Sequence, residues 1–176
     1  MTVDGSSVKG GGVRAGANRA AFLGTAVLVL VADQVSKAWL VSTISPGGVL
    51  TVAGDLVRLV FSQNSGALFG LFKDQAIVFG LVSLGVVGLI VVYHGRSVRS
   101  HYPSIALGLL LGGALGNMAD RLRLGYVVDW IDIGIGELRW PTFNVADAAI
   151  STAIVMLVLA AIVPGLSRKG QGGSDG

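Results

Sequence analysis

Four apolar runs, separated by polar segments, dominate the chain of 176 residues. They cover residues 20–41, 76–93, 104–122 and 145–163. Each is close to the ~20 residues that a helix needs to cross a hydrocarbon core about 30 Å thick. The pattern therefore predicts an all-α membrane protein with four transmembrane helices.

Two of the polar segments contain shorter stretches that are typical of β-strands. Residues 49–61 hold two runs rich in β-branched side chains, divided by Gly54 and Asp55, which predicts a strand pair. Residues 123–143 are expected to be extended around 126–131. The helices are therefore expected to carry a small extracytoplasmic β element.

The first apolar run has two interpretations, a cleaved signal peptide or a retained helix. It is too long for a typical signal-peptide core and lacks a clear small-x-small cleavage site before a soluble domain. We therefore expect a retained helix. The chain then divides into a disordered basic tail (residues 1–18), a four-helix membrane domain (19–166) and a disordered tail (167–176).

The third run carries glycines at a helical spacing. Gly108, Gly112 and Gly116 fall four residues apart, so they share one helix face. Small residues at this spacing allow the backbones of membrane helices to approach closely. We expect a close helix contact along this face. Asn144 stands where it can cap the fourth helix.

Composition and charge narrow the class further. Hydrophobic residues make up 52% of the chain and charged residues only 13%, which is unusual for a soluble domain. With no cysteine, disulfides and thiolate metal sites are excluded. The net charge of +3 comes mostly from tails and helix ends, so we expect no nucleic-acid partner. By the positive-inside rule both termini are cytoplasmic, because the basic residues there and in the 94–102 loop are Lys9, Arg14, Arg19, Arg96, Arg99, Arg168 and Lys169.

Ionisable residues are concentrated at one depth. Five of the ten acidic residues lie between residues 112 and 147, in a chain whose apolar runs are nearly free of charge. At about 1.5 Å per residue, Asp33 and Asn117 lie roughly 20 Å along their helices from the cytoplasmic side. Asp129 and Asp147 fall near the same outer level. Ionisable groups in a membrane protein are costly and usually functional, so we expect a site there, although spacing alone does not show that the two aspartates meet.

Four motifs carry a family resemblance. The segments DQVSK, QNSGALFG, GNMADRLRLGYVVDWID and FNVADAAI occur in this order over residues 20–163. Together they resemble the lipoprotein signal peptidases (signal peptidase II), aspartyl proteases of the bacterial inner membrane. The resemblance implies that Asp129 and Asp147 are the catalytic pair. It also implies substrate-binding or supporting roles for Asn64, Gly66, Asn117, Asp120, Arg121, Asn144, Asp33 and Lys37.

The same resemblance implies a substrate and a location. The substrate would be a prolipoprotein that carries diacylglyceryl on the cysteine after the cleavage site. The site would face outward from the cytoplasmic membrane and need no cofactor and no metal, and we expect a monomer in contact with membrane lipid. Independently of the family, two close carboxylates share one proton, which suits them to activate water and polarise a peptide carbonyl.

Each polar motif also has a purely structural interpretation. Asp33 and Lys37 stand at i, i+4 and can form a structural ion pair. Asp120 with Arg121 can anchor the third helix, and the two asparagines Asn64 and Asn144 can be turn and cap residues. Two further function classes, a small transporter and a scaffold protein, fit the sequence less well. A small transporter is expected to have a midplane site and internal repeats, and a scaffold protein gives no reason for paired aspartates.

His94 and His101 invite a metal interpretation, but both lie on the cytoplasmic side.

Overall fold

A computed structural model describes residues 6–65, 76–97, 100–163 and 166. Four helices and four strands follow one another along the chain. They are α1 (Ser6–Thr43), β1 (Val49–Ala53), β2 (Val57–Asn64), α2 (Ala76–Ser97), α3 (His101–Leu124), β3 (Val127–Ile135), β4 (Leu138–Arg139) and α4 (Val145–Ile162).

Three of the helical segments are long and apolar enough to cross a membrane, among the residues described. They are Gly16–Thr43, His101–Leu124 and Val145–Ile162, and α2 contains a shorter apolar stretch, Gly85–Gly95. Half of the residues of α4 are exposed, and its buried residues form a narrow stripe of Ala146, Ala149 and Ala153. A helix that is apolar all round and exposes much of its surface suits a lipid environment.

The central helix is α3, which packs against α1, α2 and α4. Its predicted glycine face is confirmed and meets α1. A Cβ at Gly108 would lie 2.6 Å from the backbone oxygen of Phe22, and one at Gly112 would lie 2.6 Å from that of Ala26. Gly113 makes the equivalent approach to Ala146 of α4. These glycines let three helix backbones pack at distances that no larger residue permits.

The strands form one antiparallel sheet in the order β1-β2-β3-β4. The strand pair predicted around Gly54 is therefore confirmed, and it pairs with β3, which lies far along the chain. The helices join the sheet through an apolar cluster of Leu40, Ile44, Phe61 and Val128. This cluster fixes the sheet against the end of α1, beside the ends of α3 and α4.

Two features differ from the sequence prediction. The first helix begins at Ser6, well before residue 20, where a disordered tail was expected. Once a helix is nucleated, each further residue adds one hydrogen bond, so the long apolar segment extends into the polar chain before it. Strand β4 was not predicted, because its two residues are too short to show a pattern. The boundaries of the membrane domain stay a prediction.

Candidate active site

Asp129 lies on β3 with its side chain almost completely buried, at 2% exposure. Its Oδ2 accepts a hydrogen bond from Asn64 Nδ2 at 2.9 Å. Asn64 reaches it because Ser62 pairs with Asp129 and Asn64 pairs with Val127, which makes Asn64 and Asp129 diagonal neighbours on one sheet face.

A bulge in β2 creates this arrangement. Leu59 pairs with Ile131, but Ser62 pairs with Asp129, so β2 contains one extra residue between these pairs. In a regular ladder Phe61 would stand opposite Asp129 and Gln63 would occupy the diagonal position. The extra residue reverses the alternation of side chains. As a result, Asn64 faces the aspartate while Phe61 is buried in the apolar cluster.

Asn144 joins Asp129 to Asp147. As the N-cap of α4, it accepts the backbone N–H of Asp147 on its Oδ1 at 2.9 Å, and Asp147 Oδ2 accepts the backbone N–H of Asn144 at 3.2 Å. This reciprocal capping box fixes the first turn of the helix. The Nδ2 of the same asparagine donates to Asp129 Oδ1 at 2.7 Å. One fully buried residue therefore donates to both candidate catalytic carboxylates, to Asp129 from its side chain and to Asp147 from its backbone N–H.

Lys37 fixes the orientation of a second asparagine. Its ammonium group donates to Asn117 Oδ1 at 3.1 Å, and Asn117 Nδ2 donates to Asp147 Oδ1 at 2.8 Å. An ammonium group has no acceptor, so the amide oxygen must face Lys37 and the NH₂ must face the aspartate. Each of the four carboxylate oxygens of Asp129 and Asp147 thus accepts a hydrogen bond.

The surroundings of Asp129 change the pKa of its carboxyl group. Burial first, and the nearby Asp147 carboxylate second, raise the pKa of Asp129 from 3.8 to about 6, although hydrogen bonds from Asn64 and Asn144 oppose the rise. Arg121 interacts electrostatically with both aspartates, and its Nη1 donates to the backbone oxygen of Asn117 at 3.4 Å. The Asp147 carboxylate is therefore close enough to Asp129 to influence its protonation.

The predicted supporting residues form a buried ionic cluster beside this pair. Lys37 Nζ lies 2.8 Å from Asp33 Oδ2 and 2.8 Å from Asp120 Oδ2. The structural pairing of Asp33 with Lys37 is therefore present. Asp120 does not cap α3; its Oδ2 accepts the backbone N–H of Val128 at 3.1 Å and so holds β3. The predicted site residue Gly66 lies outside the residues that the structure describes.

The sequence alone did not reveal two participants in this cluster. Gln34 Nε2 donates to Asp33 Oδ2 and Asp120 Oδ1, and Arg123 Nη1 donates to Gln34 Oε1. One sequence signal could have indicated Gln34: it stands three residues before Lys37, and this spacing places both side chains on one side of α1.

A second ionic cluster, away from the aspartate pair, holds the strand connections together. Arg139 Nε lies 2.7 Å and 2.8 Å from the two carboxylate oxygens of Asp132, and Arg139 Nη1 donates to the backbone oxygen of Asp55 at 2.9 Å. This cluster ties the β1–β2 turn to the β3–β4 hairpin.

Of the two histidines considered for metal binding, His94 makes other contacts. The His94 ring stacks on Phe22 with ring centroids 4.0 Å apart, and its Nε2 lies 3.2 Å from Ser104 Oγ. Within the described ranges, no three His, Asp or Glu side chains cluster in a way that would hold a metal ion. The expectation of a metal-free site stays a prediction.

Comparison with known proteins identifies the family of this chain. The family profile described as "Signal peptidase (SPase) II" matches residues 25–163. Among relatives, the lipoprotein signal peptidase of Moorella thermoacetica is 40% identical over 145 residues, covering 81% of this chain and 93% of that protein. That of Syntrophomonas wolfei is 36% identical over 144 residues, covering 82% and 94%.

The fold agrees with a solved structure. A bacterial membrane enzyme determined by the in meso method at 2.3 Å resolution superposes with a TM-score of 0.77 at 26% identity, covering 87% of this chain and 94% of that one. The matched family profile spans the segment that carries the two aspartates and their asparagine partners. The chain belongs to the signal peptidase II family.

Proposed function

We propose that this protein is an aspartyl endopeptidase of the bacterial cytoplasmic membrane. It removes the signal peptide from lipid-modified lipoprotein precursors and cuts just before the lipidated cysteine. Family membership supports the substrate class, since the relatives are lipoprotein signal peptidases. The arrangement of Asp129, Asp147 and Asn144 supports the aspartyl chemistry.

The membrane arrangement follows from helix order and charge. We propose that α2 is the fourth crossing, because the 22 residues of Ala76–Ser97 are long enough to span and mainly apolar. Four crossings leave both termini in the cytoplasm, in agreement with the basic tails. The sheet and the aspartate pair then face outward, where a lipid-anchored precursor presents its cleavage site. The enzyme acts as a monomer, without nucleic acid.

The chemistry uses one proton shared between Asp129 and Asp147. Two buried neighbouring carboxylates do not both ionise readily, so one keeps its proton. The ionised carboxylate takes a proton from water, and the water oxygen bonds to the scissile carbonyl carbon. The protonated partner donates its proton to the carbonyl oxygen. The resulting diol collapses as the C–N bond breaks: the protonated carboxyl donates its proton to the departing amine, and the ionised partner takes a hydroxyl proton from the diol, which restores the shared proton.

The observation that carries this proposal is that Asn144 hydrogen-bonds to both aspartates. The two carboxylates come from different elements, β3 and α4, and a single capping side chain determines their relative position. Asn64 donates to Asp129 Oδ2 and Asn117 donates to Asp147 Oδ1, the two oxygens that Asn144 does not bind. With donors on all four oxygens, the pair is held for proton transfer before substrate arrives.

The test is turnover of a lipidated precursor by purified protein in detergent. Asp129→Asn and Asp147→Asn each remove an ionisable group with little change in shape. Each is expected to lower kcat by about 100-fold or more, the range of general acid–base catalysis. The double variant should be little worse than either single variant, because residues that act as a unit are not additive.

Asp55→Asn is the matched control. The same chemical change is made at an exposed carboxylate in the β1–β2 turn, which pairs with Arg58 and accepts the backbone N–H of Gly136 but contacts neither candidate catalytic aspartate. It should retain wild-type turnover. Well-folded Asp129→Asn or Asp147→Asn protein that cleaves at a rate near wild type would refute the assignment of the catalytic pair.

The substrate proposal has its own test. A precursor lacking the diacylglyceryl group loses the anchor that places its scissile bond at the outer membrane surface. We expect it to be cut at least about tenfold more slowly, because positioning contributes directly to rate. Equal rates on both precursors would contradict the lipid requirement while leaving the peptidase chemistry in place.

A further inference from the structure

Two buried carboxylates hold the backbone immediately before each candidate catalytic aspartate. Asp33 Oδ1 accepts the backbone N–H of Ala146 at 3.0 Å, one residue before Asp147. Asp120 Oδ2 accepts the backbone N–H of Val128 at 3.1 Å, one residue before Asp129. Asp33 and Asp120 are 0% and 3% exposed. The distance between these two anchors therefore constrains the distance between β3 and the start of α4.

Gln34 bridges the two anchors without adding charge. Its Nε2 lies 3.0 Å from Asp120 Oδ1 and 3.2 Å from Asp33 Oδ2, and it also lies 3.2 Å from the backbone oxygen of Gly116. Lys37 bridges the same two carboxylates and neutralises part of their charge. The lysine thus provides the electrostatic balance, whereas Gln34 adds a neutral donor that shares Asp33 Oδ2 with Lys37 and binds the other oxygen of Asp120.

Arg123 supports the orientation of this amide from the other end of the Gln34 side chain. Its Nη1 donates to Gln34 Oε1 at 3.1 Å. A guanidinium group can only donate, so it requires the amide oxygen on its side and leaves the NH₂ facing the two carboxylates. An exposed arginine at the end of α3 and the buried acceptors therefore require the same orientation of Gln34.

We propose that Gln34 is a positioning residue for the aspartate pair, held in place by Arg123, and sets the separation of Asp129 and Asp147 through Asp33 and Asp120. This inference rests on the proposed catalytic pair. It assigns the determinant of the pair's spacing to a neutral side chain that contacts neither aspartate. Such a residue acts on the chemical step and leaves substrate affinity unchanged.

The experiment compares Gln34→Met with wild type in the lipidated-precursor assay. Methionine keeps length and apolar volume but donates no hydrogen bond. We expect kcat to fall by roughly tenfold, with KM within about twofold, because small displacements of reacting groups are costly in rate. The two limbs of the pH–kcat profile should also move toward each other, since carboxylates held less closely interact less strongly. A merely structural role would reduce the active fraction without moving those limbs.

Gln63→Met is the matched control, because Gln63 is an exposed glutamine on β2, next to Asn64 but on the opposite side of the strand. It should leave kcat and the pH limbs unchanged. Arg123→Met provides a second variant that changes only an exposed residue, and it should reproduce part of the effect by releasing the amide. Arg123→Lys, which retains a donor, should restore most of the activity.

The outcomes separate this inference from the proposed function. Wild-type kcat and unchanged pH limbs in both Gln34→Met and Arg123→Met, with Asp129→Asn inactive, would overturn the positioning role alone. A fall in activity that matches a fall in folded protein, with the pH limbs in place, would overturn it as well. Full activity of Asp129→Asn would instead remove the catalytic pair on which it rests.

Discussion

Asp129→Asn is expected to stabilise the protein at alkaline pH even though it removes activity. Burial and the neighbouring Asp147 charge raise the pKa of Asp129 from 3.8 to about 6. The folded protein therefore binds this proton more tightly than the unfolded chain does. Between pH 3.8 and about 6 the folded state carries more protons, so the stability of the wild-type protein falls as pH rises through this window.

The expected magnitude follows from that difference in pKa. At 1.36 kcal/mol for each pKa unit, wild-type protein loses roughly 3 kcal/mol of folding free energy between pH 3 and pH 8 through Asp129. Asparagine cannot ionise, so the variant loses none of it. The asparagine side chain offers one acceptor oxygen where Asn64 and Asn144 both donate, and the unmatched donor costs about 1 kcal/mol or more. That cost does not depend on pH.

The measurement is thermal unfolding of wild type, Asp129→Asn and the exposed control Asp55→Asn in one detergent from pH 4 to pH 8. The stability of Asp129→Asn relative to wild type should rise steadily with pH and level off above about 6. Asp55→Asn should follow wild type across the range. A pH-independent difference between Asp129→Asn and wild type, or one that shrinks as pH rises, would refute the reasoning.

Three further predictions concern architecture. Reporter proteins fused at either terminus should report cytoplasm, whereas fusions near Gly48 or Gly134 should report the opposite side, and an external terminus would overturn the orientation. Gly112→Ala should destabilise the protein by about 1–3 kcal/mol, because the new Cβ would lie 2.6 Å from a backbone oxygen of α1. Gly88→Ala, with nothing within 4 Å, is its control and should be neutral or stabilising in unfolding measurements. Asp132→Asn should lower the unfolding temperature by breaking the ion pair with Arg139 yet keep turnover per folded molecule, and a selective loss of turnover would implicate Asp132 in the chemistry.

Local sequence patterns were sufficient to predict the helices and many residues of the candidate site. Apolar runs of spanning length give the three candidate spans, and glycines at a spacing of four give the α1–α3 contact. Asn144 is identifiable as a cap because it precedes an apolar helix that has an acid at its third position. The i, i+4 spacing of Asp33 and Lys37 is likewise enough to predict their ion pair.

Relations between distant segments could not be predicted in this way. The pairing of β2 with β3 joins residues more than sixty positions apart, and no periodicity in either strand specifies its partner. The bulge that turns Asn64 toward Asp129 is also invisible, because it depends on register and not on residue type. Gln34 looks like an ordinary polar residue until the fold brings Asp120 and Arg123 beside it.

Asn144 both caps α4 and donates to Asp129, so few other residues could replace it. Asparagine, aspartate and serine are nearly interchangeable as helix caps in general. Here an aspartate would still cap α4 but would turn a third carboxylate toward Asp129, which needs a donor. A serine would cap as well, but its single hydroxyl is already used on the helix and its reach is shorter. The same amide therefore specifies both the start of α4 and the geometry of the aspartate pair. A substitution at this position that leaves folding intact would still alter the catalytic activity.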